Sequence, residues 1–179
     1  KLPSLPNAEK EIKEISESFS PENTLLLTQK EASEETLMLT NLASYDVIVF
    51  ATHAINENLQ LGIEESALVL SQLDTNIDFD GLLYASEISK FNLNAEWVIL
   101  SACNTASLSD RTSSGVARDL PSAFLYAGAQ SLLLSHWELD DFAARFITTN
   151  LFKELENPDV TKSDALRSAK LKFLDHQGG

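Results

Sequence analysis

The chain is poor in cysteine, glycine and proline, and each shortage excludes a class of protein. One Cys in 179 residues excludes an internal disulfide framework and a cysteine-rich zinc site, and it fits a reducing compartment, so we expect a cytoplasmic protein. Six Gly and five Pro beside 44% apolar residues exclude collagen-like and disordered chains. No apolar run approaches the roughly 18 residues that a membrane span needs. These features predict a soluble globular protein with one sizeable core, a single domain over residues 1–179.

Positive charge is also scarce, because 13 Lys and Arg stand against 27 Asp and Glu and leave a net charge of -14. This balance repels phosphate backbones and anionic lipid surfaces, so we expect neither nucleic acid nor a membrane as a direct partner. An acidic surface can steer basic partners toward a site, although a well-solvated surface explains the same charge. The three histidines, His53, His136 and His176, form no convincing metal-ligand cluster, so we expect no metal and no cofactor.

Short apolar runs alternate with helical patterns along the chain, which indicates an α/β protein. Four runs are continuously apolar and partly β-branched, as expected for parallel strands buried on both faces: residues 25–27, 47–50, 97–100 and 132–134. Apolar residues at spacings of three and four predict helices between them: residues 8–19, 34–42, 122–127, 142–155 and 162–174. We therefore predict an open, mostly parallel sheet with helices on both faces, a three-layer sandwich. The polar stretch 57–80, with an apolar run inside it, predicts a β-hairpin insertion.

Two reactive side chains follow directly on two of these strands. His53 comes after the strand predicted at 47–50, and Cys103 comes after the one predicted at 97–100. If the two strands are neighbours, both side chains lie at the carboxyl edge of the sheet, where open α/β sheets bind ligands. An imidazole beside a thiol stabilises the thiolate and later protonates a departing amine. The backbone N–H groups at Cys103 and around Ala54 would then bind the oxygen of the tetrahedral intermediate.

Each of the two residues also has a simpler interpretation when it is taken alone. A single Cys after a strand is usually a small buried hydrophobe, and a single His is usually a structural polar residue. Their joint position at two strand ends, fifty positions apart in the chain, favours a catalytic dyad of Cys103 and His53.

The residues around this dyad resemble the CHAT family, bacterial relatives of caspases and separase. The likeness is carried by Phe50-Ala51-Thr52-His53 and Leu100-Ser101-Ala102-Cys103-Asn104-Thr105, and it continues in order through residues 80–83, 85–88, 124–129 and 135–141. The resemblance implies a caspase-like fold and a cysteine endopeptidase that cleaves a protein substrate. It also implies a regulatory module, such as TPR repeats in the same chain or a separate activating protein.

The sequence departs from the family pattern in two places. Ala54 stands where the family usually has Gly, and at a positive φ that exchange costs on the order of 1 kcal/mol. The chain ends at Gly178-Gly179, before the closing segment that the family implies. We therefore expect a chain that is trimmed at both ends, with its C-terminal segment missing, and a second chain is one candidate to complete the sheet.

The family resemblance also suggests a pocket for the substrate residue before the scissile bond. Asp140 and Asp141 stand where separase-like enzymes have the acidic residue that recognises Arg, and a carboxylate there would pair with a basic side chain. Ser135 and Trp137, just before them, complete the predicted substrate-binding set. The alternative is that the two acids cap the helix predicted at 142–155, and one of them can do each job.

Two other functions fit the same residues. A catalytically silent caspase-fold interaction module would keep the dyad without a working pocket, and Ala54 and the shortened end favour it. A different thiol enzyme, such as an acyltransferase, would use the same dyad on a small molecule.

Overall fold

A computed structural model of the chain describes residues 5–57, 63–72, 79–101, 119–135 and 139–177. Cys103, His136 and Trp137 lie outside these residues. By its internal contacts the chain divides into two compact units, a first unit of Lys1–Leu26 with Leu139–Gly179 and a second unit of Leu27–Glu138. One domain over 1–179, trimmed at both ends, stays a prediction.

The described residues form six strands and six α-helices. The strands are β1 (Val47–Phe50), β2 (Ala54–Ile55), β3 (Ala67–Val69), β4 (Leu82–Tyr84), β5 (Trp97–Leu100) and β6 (Leu132–Leu134). The helices are α1 (Ala8–Ser16), α2 (Glu34–Leu39), α3 (Ala85–Ile88), α4 (Leu120–Tyr126), α5 (Asp141–Leu155) and α6 (Lys162–Gln177). Short 3-10 helices occupy Pro21–Asn23, Gln29–Glu31 and Leu42–Ser44.

The second unit is built on a parallel sheet with the order β1-β5-β6. Phe50 lies opposite Leu100, and Leu100 lies opposite Leu134. All four residues of β5 are buried, as expected for a central parallel strand covered on both faces. The predicted α/β class is confirmed, and the sheet is consistent with a caspase-like fold.

The insertion between β1 and β5 forms a small antiparallel sheet with the order β2-β3-β4. Leu68 in β3 lies opposite Ala54 on one side and Leu83 on the other. Leu68 and Leu83 are fully buried in the core of the second unit. The predicted hairpin is present as the pair β3 and β4, although β4 begins two residues past the stretch predicted at 57–80. β3 also pairs with the two residues that follow His53.

The strand predicted at residues 25–27 is wrong, because no described strand occupies them. The run lies between the 3-10 helices Pro21–Asn23 and Gln29–Glu31, and Thr24 and Thr28 have extended backbone angles. Leu25 is 47% exposed. A short apolar run favours an extended chain, but a strand also requires a hydrogen-bonding neighbour, and the described residues provide none here.

In the first unit, α5 packs against both α1 and α6. Buried Glu11 on α1 accepts a hydrogen bond of 2.6 Å from Thr148 Oγ1 on α5. Phe19 meets Phe152 edge to face, with 5.6 Å between the ring centroids. Helix α6 runs to Gln177, three residues past the predicted end, because residues 175–177 contain no proline or glycine that would end it earlier.

A buried carboxylate fastens α2 to the turn before β4. Glu34 is 2% exposed and accepts a hydrogen bond of 2.5 Å from Gly81 N. Burial raises the pKa of Glu34 above its ordinary value of 4.5, and the charges of Glu87 and Asp80 add to that shift, while the N–H groups of Gly81 and Leu82 act against it. The charged form of Glu34 therefore costs more in the folded chain than in the unfolded chain.

We predict that Glu34→Gln reduces the loss of stability as the pH rises. A carboxyl group whose pKa is raised by folding contributes stability below its unfolded pKa, and this contribution is lost as the pH rises through the folded value. Gln keeps an acceptor for Gly81 N and carries no charge. Urea unfolding from pH 4.5 upward should show a smaller decline for the variant than for the wild type, whereas exposed Glu31→Gln should follow the wild type. A decline equal to that of Glu31→Gln would contradict the assignment.

Candidate active site

The strands that precede the two predicted dyad residues are parallel neighbours. β1 pairs with β5 along its full length, and Ser101 N donates to Phe50 O at 2.8 Å, which extends the pairing one residue past β5. Both strands therefore end at the same edge of the sheet. The predicted dyad requires that the two strands be neighbours, and their pairing confirms this requirement. Cys103 itself follows Ser101 by two positions in the sequence and lies outside the described residues.

The backbone at His53 is held by β3. Val69 N donates to His53 O at 2.8 Å, and Thr52 Oγ1 donates to Val69 O. The His53 residue is half-buried. The antiparallel insertion thus fixes the segment that carries the histidine, a role that the sequence did not reveal because β2 is only two residues long and shows no periodicity.

Ala54 adopts an ordinary strand conformation. Among the described residues, Gln29 with φ of 49° is the one non-glycine residue at positive φ, so the strain expected from replacing the family's Gly is absent. Pairs alternate along an antiparallel ladder between those that exchange hydrogen bonds and those that do not. Because His53 bonds to Val69, Ala54 opposite Leu68 falls in a non-bonded pair. Its N–H therefore points to the outer side of β2, away from β3.

The two aspartates predicted for the substrate pocket lie at the start of α5, and both accept hydrogen bonds. Asp140 is the N-cap, and its Oδ1 accepts from Phe142 N at 3.0 Å and from Ala143 N at 3.3 Å. Asp141 Oδ2 accepts from Asn7 N at 3.0 Å and from Asn7 Nδ2 at 2.8 Å. Asp140 thus has the capping role that was the alternative, and its pocket role stays a prediction.

Of the two other residues predicted for the pocket, the structure describes Ser135 and does not describe Trp137. Ser135 directly follows β6 and is half-buried in the second unit. Asp140 and Asp141 belong to the first unit. Trp137 lies outside the described residues, so its role stays a prediction.

Neither a metal centre nor a membrane span is found in the described part of the chain. Within it, no three His, Cys, Asp or Glu side chains are grouped so that they could hold a metal ion. Its helices also lack the length and apolar character that crossing a bilayer requires.

The fold and the sequence together define a class of α/β protein. In this class a histidine follows one strand of a parallel sheet, and a cysteine follows the adjacent strand. The model of the CHAT domain family matches residues 1–179, so the chain belongs to the CHAT domain family, which is caspase-like and related to peptidases. The resemblance found in the sequence motifs is thereby confirmed. A comparison with curated proteins gave no match.

Proposed function

We propose that the chain is a cysteine endopeptidase that cleaves a protein substrate with Cys103 as nucleophile and His53 as its partner. The observation that carries the proposal is the parallel pairing of β1 with β5, because it brings the ends of both strands to one edge. Membership of a peptidase-related family supports the same reaction class. The proposal is tested by measuring peptide cleavage by the Cys103→Ala and His53→Ala variants, which should both lose it.

The proposed reaction proceeds in two steps. The Cys103 thiolate, stabilised by the His53 imidazolium, attacks the peptide carbonyl carbon, and the imidazolium then protonates the departing amine. Water next attacks the thioester and gives up a proton to His53, and the acid product leaves, which restores the Cys103 thiolate beside the His53 imidazolium. The N–H groups of Ala54 and Cys103 would bind the oxyanion in both steps. The outward direction of the Ala54 N–H, away from the β3 ladder, supports its part in this role.

The silent interaction module is the second candidate function, and Ala54 no longer favours it. The residue sits in a strand without the positive φ that would make Ala costly. The two candidates differ in one measurable property, since a working dyad makes the single thiol unusually reactive near neutral pH.

We also propose that the peptidase is controlled by a partner. In the described part of the parallel sheet, β6 is an outer strand, and an outer strand can accept a further strand. A second chain that completes the sheet, TPR repeats, or a separate activating protein fits this arrangement. The acidic net charge of -14 supports protein partners over nucleic acid or membrane, and the proposed compartment is the cytoplasm.

We predict cleavage after Arg or Lys, and this rests on the sequence order around Asp140 and Asp141. Asp140→Asn removes the charge and keeps a good N-cap for α5. The loss of a charged hydrogen-bond acceptor should lower kcat/KM for basic substrates by about tenfold or more. The kcat/KM for neutral substrates should stay unchanged. A peptide-library cleavage profile of both proteins provides the measurement, and Asp141→Asn tests the neighbouring carboxylate.

Asp119→Asn is the matched control for this change. Asp119 is the N-cap of α4 and accepts from Ser122 N at 2.8 Å, so the control alters a capping aspartate without touching the predicted pocket. Cleavage after Asp or large apolar residues, with no gain from a basic side chain, would refute the acidic pocket.

A further inference from the structure

The small antiparallel sheet carries apolar side chains on both of its faces, although only one face packs on the core. Side chains of neighbouring residues alternate between faces, so Leu68 and Leu83 point to the core, while Ile55, Ala67 and Tyr84, paired across the three strands, share the opposite face. Antiparallel sheets commonly have one solvated, polar face. Ala67 on this second face is already buried, whereas Ile55 and Tyr84 are half-buried and leave apolar surface for a further contact.

A cavity of about 260 Å³ lies on this second face. Ile55, Ala67, Leu82 and Tyr84 contribute its walls from the sheet, and Ile63 adds a further apolar side chain. Small-molecule sites usually measure about 300–1,000 Å³. The cavity is thus better matched to one amino-acid side chain than to a cofactor.

The polar part of the lining is acidic. Glu64 and Glu65 line the cavity, and none of the described lining residues is basic. Glu65 is fixed in place, since its carboxylate oxygens accept from Ser86 N at 2.7 Å and from Ser86 Oγ at 2.9 Å. Glu64 is exposed. A ligand here meets an apolar floor with carboxylates beside it.

Tyr84 adds an aromatic ring to the same lining. Its hydroxyl donates to Asp80 Oδ2 at 3.3 Å. Burial raises the pKa of Tyr84, and the negative charges of Asp80, Glu87 and Glu65 add to that shift. An aromatic ring attracts a cation placed over its face. Aliphatic walls, a ring and carboxylates together suit a side chain with an apolar stem and a cationic head.

We propose that this cavity binds an Arg or Lys side chain of an extended polypeptide segment. The stem would lie on Ile55 and Leu82, and the cationic head would pair with Glu64. A polypeptide is the fitting source because β2, whose Ile55 lines the cavity, is an outer strand of this sheet in the described residues, and outer strands accept extended segments. The lining residues all belong to the second unit, and occupation of the cavity does not require cleavage at Cys103.

The experiment uses the full chain with Cys103→Ala, so that binding is measured without turnover. The probe is acetyl-Gly-Gly-Arg-Gly-Gly-amide, and its partner peptide carries citrulline, which keeps the shape of Arg and lacks its charge. Isoleucine methyl NMR reports the site directly. Ile55 and Ile63 should shift on titration, while Ile88 and Ile99, which are buried in the second unit, should not. The citrulline peptide should bind about fivefold more weakly or worse.

Charge neutralisation provides the matched comparison. Glu64→Gln should weaken binding of the Arg peptide about threefold or more, because it removes a carboxylate and keeps the side-chain size. Glu31→Gln makes the same change at another exposed position of the second unit and should leave the affinity unchanged. Equal binding of the Arg and citrulline peptides would overturn the proposal, as would equal effects of the two variants. Shifts confined to Ile147 of α5 would instead assign Arg binding to the first unit and also overturn it.

Discussion

Cys103→Ala and His53→Ala are each expected to reduce peptide cleavage by at least about a thousandfold while the chain keeps its fold. The thiolate is the nucleophile in the proposed reaction, and no other Cys exists in the chain to replace it. The backbone position of His53 depends on its own carbonyl, which accepts from Val69 N, and on the hydroxyl of Thr52. Loss of the imidazole leaves both contacts in place.

The single Cys permits a measurement that needs no known substrate. Iodoacetamide alkylation followed by mass spectrometry reports on Cys103 alone, because the chain has one Cys. At pH 6 the wild type should react about ten- to hundredfold faster than the His53→Ala variant, since an ordinary thiol is almost fully protonated there. In the variant, the midpoint of the pH–rate curve should move toward that of an ordinary thiol, about 8.5.

His176→Ala is the control for the histidine change, because His176 is exposed near the end of α6. It should cleave and alkylate like the wild type. The double variant of Cys103 and His53 should be hardly slower than either single variant, as expected of residues that act as a unit. Unchanged alkylation in His53→Ala, with no cleavage by the wild type, would contradict the dyad and favour the silent interaction module.

The sequence predicted the parallel sheet well and the small sheet poorly, and the reason is the length and burial of the strands. β1, β5 and β6 match the predicted runs 47–50, 97–100 and 132–134, because each run is continuously apolar, as parallel strands usually are. Only β5 is buried along its whole length, while β6 and most of β1 are half-buried. Residues 25–27 carry the same pattern without a described partner strand. β2 has two residues, too few for any alternation to be recognised.

Part of the candidate site could be predicted from sequence motifs, and part is visible only in the contacts of the structure. The motifs located His53 and Cys103, and the order of the strands made their neighbourhood a reasonable expectation. The contact of Thr52 with Val69 and the outward N–H of Ala54 depend on the register of β2 against β3. No local pattern encodes that register, because it is set by pairing between residues far apart in the chain. Asp140 shows a further limit, since one carboxylate suits both a helix cap and a substrate pocket.

The largest stability effect is expected at Gly128, which ends α4. It has φ of 113°, a region that other residues adopt only with strain. Gly128 N donates to Leu125 O at 3.2 Å, and Ala129 N donates to Phe124 O at 3.0 Å. These bonds close the end of the helix as in a Schellman motif. The turn also packs closely on Leu93, so that an added Cβ would lie 2.3 Å from Leu93 O.

Gly128→Ala should lower the free energy of unfolding by about 2–4 kcal/mol, the sum of about 1 kcal/mol for the positive φ and the cost of overpacking. The clash is with a backbone oxygen, which cannot turn aside as a flexible side chain does. Gly81→Ala is the matched control, because Gly81 also has positive φ, 83°, but its added Cβ would come no closer than 3.1 Å to another atom, the Cβ of Gln72. Urea unfolding should therefore show a loss for Gly81→Ala nearer to the conformational cost alone. A loss at Gly128 no greater than that at Gly81 would show that the chain relieves the Leu93 contact by moving, and the steric argument would fail.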